Sequence, residues 1–229
     1  MLVVDDAPEF CQLISDALTD AGYSVRTTRT VAAANEAMSI AMPDLVVLDL
    51  GLPDGDGLEV CRGIREHSNA YVLVVSGRAD QLEKLSGFRL GADDFMLKPF
   101  SARELAARVD ALLRRPRVST LEAMPRSLGH VLLYPHSREV TIDGTKIDLT
   151  RLEFDLLDVM SANPTLVFTR RQLLERVWGG NWFGDEHVVD VHVANLRRKV
   201  DLPDQPSLIR TVRGVGYRFV DFRRAGKEN

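Results

Sequence analysis

Several patterns are scarce in this chain, and each scarcity removes a class of function. Cysteine occurs only twice in 229 residues, at Cys11 and Cys61. That is too few for a disulfide framework, and both positions fall in helix-like patterns, so buried reduced thiols are expected. No window approaches the ~18 uncharged apolar residues of a membrane span. The opening "MLVVDDAPEF" has no basic segment leading into an apolar one, so it does not read as a secretory signal. No internal repeat and no low-complexity tract is present. The expectation is a cytosolic globular protein.

What is present is ordinary in bulk and uneven in distribution. Apolar residues make up 45% and charged residues 27% of the chain, a normal globular composition. Residues 1–115 hold 12 Lys/Arg against 18 Asp/Glu, a net −6; the rest hold 17 against 15, a net +2. An acidic half joined to a mildly basic one suggests divided labour, with nucleic acid as a possible partner of the basic half.

The first half alternates short aliphatic runs with helical periods. Phe10, Leu13, Ile14, Ala17, Leu18 and Ala21 recur as on one helix face, and Gly22 ends that helix. "YSVRT", "LVVLD", "YVLVV" and "DFML" read as strands after Leu2–Val4, with helices over 32–41, 58–66, 82–90 and 101–115. Ser101 and Glu104 predict a capping box. Five strands alternating with five helices predict a doubly wound parallel sheet, an α/β layout of the flavodoxin-like kind. "PRVSTLEAMPRS" at 116–127 lacks any period and reads as a linker. Beyond it the pattern is α+β: short strands with an "IDGT" turn, helices over 150–162, 169–177 and 185–200, and two strands around Gly214–Gly216.

Ligands of an open parallel sheet bind beyond the carboxyl ends of its strands. Those ends here carry Asp5-Asp6, Asp49, Ser76 and Lys98-Pro99. Clustered carboxylates repel one another and take up protons or a cation. Oxygen-only ligands favour a hard ion such as Mg²⁺. With Lys98 and Ser76 as further partners for anionic oxygens, the set suits a phosphoryl group carried on Asp49. A lone aspartate at a strand end is ordinarily a turn or cap residue; the convergence of five groups argues against that here.

At these residues the chain resembles the receiver domain of two-component response regulators, through "VVDD" (3–6), "LDLGLPDGDG" (48–57), "VVSG" (74–77) and "GADDFMLKPF" (91–100). The resemblance implies Asp49 as phosphoacceptor and Asp6, Asp49 and the Gly51 carbonyl as direct Mg²⁺ ligands, with Asp5 acting through water. It implies Lys98 as the catalytic ammonium, Ser76 and Phe95 as the switch pair, and a cis Lys98–Pro99 peptide. In this family the motif departs at Ala7, commonly acidic, and at Gly51, which usually carries a side chain. Asp54 and Asp56 are expected to stay in solvent. A calcium loop starting at Asp54 fails on spacing, since its later ligand positions fall on Leu58 and Arg65.

In the second half, Val189, Val193, Leu196 and Val200 form the expected core stripe of one helix. His187, Val191, Ala194, Asn195 and Arg198 fall opposite, flanked by Asp190, His192, Arg197 and Lys199. By itself this describes a solvated surface helix. It is preceded by "FTRRQLLERVWG" and followed by "LIRTVRGVGYRF", and the whole is similar, over roughly Leu128 to Phe222, to the winged helix-turn-helix domain of OmpR/PhoB-type transcription factors, which sets the expected domain at 128–229. The resemblance implies base-edge or phosphate contacts for Val188, Val191, His192, Asn195 and Arg198. It implies phosphate contacts for Arg170, Trp178 and Arg197, and wing contacts for Thr211 and Arg213. Asn195 suggests reading of an adenine. The loop "GGNWFGDE" corresponds to the RNA polymerase contact of relatives.

The resemblance further implies a homodimer through the fourth helix, fifth strand and fifth helix, with Lys84, Glu104, Asp94 and Arg108 forming reciprocal ion pairs and Arg115 and Asp93 as extras. The expected protein is therefore a response-regulator transcription factor rather than an enzyme by role. A sensor histidine kinase would phosphorylate it, and it would bind promoter DNA as a dimer. The rivals are a regulator that binds DNA without phosphorylation, and an aspartyl-phosphate phosphatase or phosphotransferase. Gly51 disfavours the latter, because such enzymes place a second aspartate there.

Overall fold

The computed structural model describes residues 1–77, 87–113, 124–180 and 185–220. Lys84, Arg115, residues 82–86 of the fourth expected helix, residues 116–123 of the expected linker and residues 181–184 of the polymerase loop lie outside them. The described residues form two compact units, one up to residue 113 and one from residue 124 onward.

The first unit is a five-stranded parallel sheet in the order Arg26–Thr28, Leu2–Val4, Leu45–Asp49, Tyr71–Ser76, Asp94–Leu97. The order reverses between Leu2–Val4 and Leu45–Asp49, which opens a crevice beyond their carboxyl ends. Leu2, Val3, Val4, Leu45, Val46 and Leu48 are fully buried or nearly so. Each such side chain contributes about 1.5–3 kcal/mol, which is why these aliphatic runs become central strands.

The helices of this unit are Pro8–Asp20, Val31–Ile40, Gly57–His67 and Ala102–Leu113, with residues 87–89 also helical. Pro8 opens the first where a missing N–H costs nothing, and Gly22, at φ +89°, follows its end. Ser101 caps the Glu104 N–H at 3.1 Å. The Glu104 carboxylate turns instead to Arg108, so the fold realises the serine half of the expected capping box. A two-residue hairpin, Gly51–Leu52 with Gly55–Asp56, was not visible in the sequence period.

The second unit begins with an antiparallel sheet ordered Thr145–Ile147, Glu139–Ile142, Val131–Tyr134, Arg126–Leu128. Its Asp143-Gly144 turn has φ of +49° and +83°, the left-handed pair that a tight hairpin needs. Helices Arg151–Ala162, Arg170–Val177 and Val188–Val200 follow. Complete capping boxes open the first two, Thr150 with Glu153 and Thr169 with Gln172. Strands Ile209–Val212 and Gly216–Phe219 form the closing hairpin, and Phe168–Thr169 pairs along its second strand. A Cβ on Gly216 would sit 2.1 Å from the Phe168 carbonyl oxygen, so only glycine permits that pairing. Among the described residues no helix is long and apolar enough to cross a membrane.

Candidate functional site: an acidic cleft and a basic helix

Three carboxylates meet at the crevice of the parallel sheet. Asp5, Asp6 and Asp49 place ligand oxygens within 4.8 Å of one another; Asp5 and Asp49 are buried and Asp6 is exposed. Lys98 reaches in from the end of the Asp94–Leu97 strand. Its Nζ lies 2.6 Å from Asp5 Oδ2 and 2.8 Å from Asp49 Oδ2. The same Nζ sits 4.1 Å from the Phe10 ring centroid, which gives the ammonium an apolar floor. Burial pushes the Asp5 carboxyl up, against the hydrogen bond from Lys98. Burial alone would pull Lys98 down, but its bonds to Asp49 and Asp5 hold it above its ordinary value. One ammonium thus neutralises part of a pocket that is otherwise in electrostatic excess.

A cleft of about 540 Å³ extends from Asp49 past Gly51, Leu58, Ser76 and Lys98. Its floor depends on Gly57: a Cβ there would lie 2.5 Å from the Asp49 carbonyl oxygen and 2.7 Å from Leu50 Cα. The Gly51 N–H donates to Asp49 Oδ1 at 3.2 Å. Ser76, 2% exposed, ends its strand in the cleft wall, and its carbonyl accepts from the Lys98 N–H at 2.9 Å. Phe95 is buried at 8% exposure one strand away. The Lys98–Pro99 peptide is cis.

Asp54 and Asp56 do not simply stand in solvent. Asp54 accepts from the Val31 and Ala32 N–H groups at 2.8 and 3.0 Å, and these bonds hold its carboxyl below the ordinary range. Asp56 caps its own helix through the Leu58 N–H at 2.8 Å. Both answer the orphan donors of helix starts.

The expected dimer residues sit differently from the expectation. Asp94 and Arg108 are 2% and 8% exposed and pair within the chain at 2.8 Å; Arg108 also holds Glu104 at 3.0 Å. The i,i+4 spacing on one helix and an adjacent strand bring the three together before any partner arrives. Asp93 is fully buried, bound to Arg65 at 2.6 Å and to the Val72 N–H at 2.7 Å. It braces the interior and is not an extra surface charge.

On the second unit, the exposed side of the Val188–Val200 helix carries Ala194 and Arg198, with Val191, Arg197 and Lys199 half-buried. Val188, His192 and Asn195 are buried at 4%, 1% and 5% exposure, and Trp178 at 1%. These four side chains therefore correct the expected DNA face. Val188, His192 and Asn195 recur at i, i+4 and i+7 and make a second buried stripe, and the His192 ring lies 5.5 Å from that of Trp178. Asn195 Oδ1 accepts from the Arg198 guanidinium, so the cation presents outward with the amide behind it. Arg197 donates to the Ile209 carbonyl at 2.9 Å and to Thr211 Oγ1 at 3.0 Å, tying the helix to the hairpin. Arg170 is half-buried, while Thr211 and Arg213 are exposed on the hairpin. Sequence reasoning missed Gly57 and Phe10; only their neighbours in space reveal them.

Known proteins share both units. Residues 1–110 match the family described as the response regulator receiver domain, and residues 144–219 match the C-terminal domain of transcriptional regulatory proteins. The DNA-binding response regulator MtrA of Mycolicibacterium smegmatis is 40% identical over 95% of this chain and 95% of its own. Among solved structures, a RitR mutant is 27% identical, with a TM-score of 0.81 over 96% of this chain and 98% of its own. DrrB, an OmpR/PhoB homologue from Thermotoga maritima, is 32% identical, covering 96% of this chain and 97% of its own at a TM-score of 0.50. An acidic crevice closed by a lysine, followed by a winged helix, and relatives that match along nearly the whole length place this chain in the family of OmpR/PhoB-type response-regulator transcription factors.

Proposed function

We propose that this response regulator is switched by phosphorylation of Asp49 and then acts on promoter DNA as a homodimer. The observation that carries the reading is the double contact of Lys98 with Asp5 and Asp49 at the rim of an open cleft. An Asp49 carboxylate oxygen attacks the phosphorus of a phosphohistidine on a sensor histidine kinase. The P–N bond breaks and the imidazole leaves with its electron pair, taking up a proton. Lys98, already bound to Asp49, moves its charge toward the transferred oxygens, and Ser76 in the cleft wall donates to another. Asp5, Asp6, Asp49 and the Gly51 carbonyl are hard oxygen donors that fit a divalent ion; bound there, Mg²⁺ would neutralise phosphoryl charge.

Ser76 and Phe95 then shift toward the acyl phosphate, favouring the dimer through the face that includes Glu104 and Lys84. Two winged helices bind paired half-sites, and the loop around residues 179–186 engages RNA polymerase. Arg198 is the outward base reader, oriented by Asn195, while Arg170, Arg197 and Arg213 hold phosphates. The test is incubation with acetyl phosphate and Mg²⁺ followed by intact mass. Wild type should gain one phosphoryl group and Asp49→Asn none. No adduct on wild type, or an equal adduct on the variant, removes Asp49 from this role.

A further inference from the structure

Asp190 stands in the first turn of the Val188–Val200 helix with both carboxylate oxygens engaged. Oδ1 accepts from the Tyr217 hydroxyl at 2.6 Å and from Arg170 Nε at 2.7 Å. Oδ2 faces His187 Nδ1 at 3.0 Å. Tyr217 comes from the second strand of the hairpin, and its ring lies between Arg170 and Arg197, with guanidinium carbons 5.4 and 5.6 Å from the centroid. One carboxylate therefore joins the start of the Arg170–Val177 helix, the Val188–Val200 helix and the hairpin.

A carboxylate in a first helical turn is favourable to the helix dipole without any ligand. That explanation accounts for the charge and not for the arrangement. The dipole does not require two cations gathered on one acid, nor their outward position: the His187 side chain is 78% exposed, while Asp190 and Arg170 are 30% and 29% exposed. The acid sits between the cations, and the imidazole projects from the end of the helix.

We propose that Asp190 is a positioning residue for binding the DNA backbone, holding Arg170 and His187 together as a cationic clamp for phosphodiester oxygens, and that His187 makes this clamp proton-dependent. The proposal rests on the DNA-binding function of this domain and adds residues to it. Asp190 cancels the charge of Arg170, so the trio is neutral when His187 is neutral and carries one positive charge when it is protonated. The groups facing His187 are Asp190, Asp185, whose Oδ1 accepts the His187 backbone N–H at 2.9 Å, and Arg170. The hydrogen bond that the imidazolium donates to Asp190 and the charge of Asp185 hold His187 above the ordinary histidine range, against Arg170. Burial, reinforced by Asp190, pushes the Tyr217 hydroxyl up to about 12, so it remains a donor throughout. A nearby phosphate favours the protonated imidazole further, so affinity falls as pH rises through the histidine range.

The experiment is fluorescence anisotropy of the full-length protein on a random-sequence duplex at low salt, across about pH 6 to 8.5. Wild type should lose about three- to fivefold in affinity across that range, as an exposed ion pair does when it is lost. His187→Gln should bind at the weaker level and lose most of the pH dependence. Asp190→Asn removes a negative charge beside DNA yet should weaken binding, with its melting curve recorded to separate unfolding from misplacement. Tighter binding by folded Asp190→Asn would show that the acid is only a repulsive charge and would overturn the positioning role. An unaltered pH profile in His187→Gln overturns the proton-dependent clamp. A wild type that binds no duplex at any pH, with or without acetyl phosphate and Mg²⁺, overturns the DNA-binding reading itself, a result separable from the other two.

Discussion

Single atoms decide whether the cleft can exist. Asp49 is tolerable at the end of a fully apolar strand because Lys98 and the Gly51 N–H occupy both of its oxygens. Gly57 is just as exacting, since any Cβ would overlap the backbone that follows Asp49. Gly57→Ala is expected to destabilise the receiver by about 1–3 kcal/mol, read as a lower urea midpoint. It should also slow phosphorylation, because the displaced backbone carries the acceptor. A variant with unchanged midpoint and unchanged rate would show that the contact relaxes freely. On the DNA side the outward cation is Arg198, backed by Asn195. Arg198→Ala should relax selectivity at one guanine by about 1–3 kcal/mol in a selected-sequence binding assay. Retained selectivity there, with loss at an adenine in Asn195→Ala, would restore the amide as the direct reader.

Elements explain which expectations held. Long aliphatic runs and 3.6-residue periods made the parallel sheet and most helices readable, because each such element carries its own burial pattern. Two-residue strands such as Gly51–Leu52 and Phe168–Thr169 carry no period, so sequence could not announce them. The site residues were legible where chemistry is unusual at a strand end, as with Asp5, Asp49 and Lys98. They were misread where a helix is covered from a second side. A helical wheel records only its own helix, and it cannot see that Trp178 packs on His192. Charges on the expected dimer face show a related effect that a wheel does not record: Asp94 and Arg108 find each other within the chain. Arg108→Ala takes the guanidinium away from the buried Asp94 carboxylate and should cost about 3 kcal/mol in thermal or urea unfolding of the unphosphorylated protein. A change confined to dimerisation, with stability unaltered, would return Arg108 to the surface role.

At the scale of the whole molecule, a receiver unit with an acidic cleft is joined to a DNA-binding unit with cations along a helix and a hairpin. Among the described residues, the cleft draws on residues 5 to 98 and the basic surface on residues 170 to 213. Switching requires that chemistry at the first alter the behaviour of the second. The direct test is promoter-duplex affinity measured with and without acetyl phosphate and Mg²⁺, alongside gel filtration, for wild type and Asp49→Asn. Phosphorylated wild type should shift to dimer and bind more tightly, with neither change in the variant. Equal affinity in a fully phosphorylated wild type, or the same gain in Asp49→Asn, would contradict that switching.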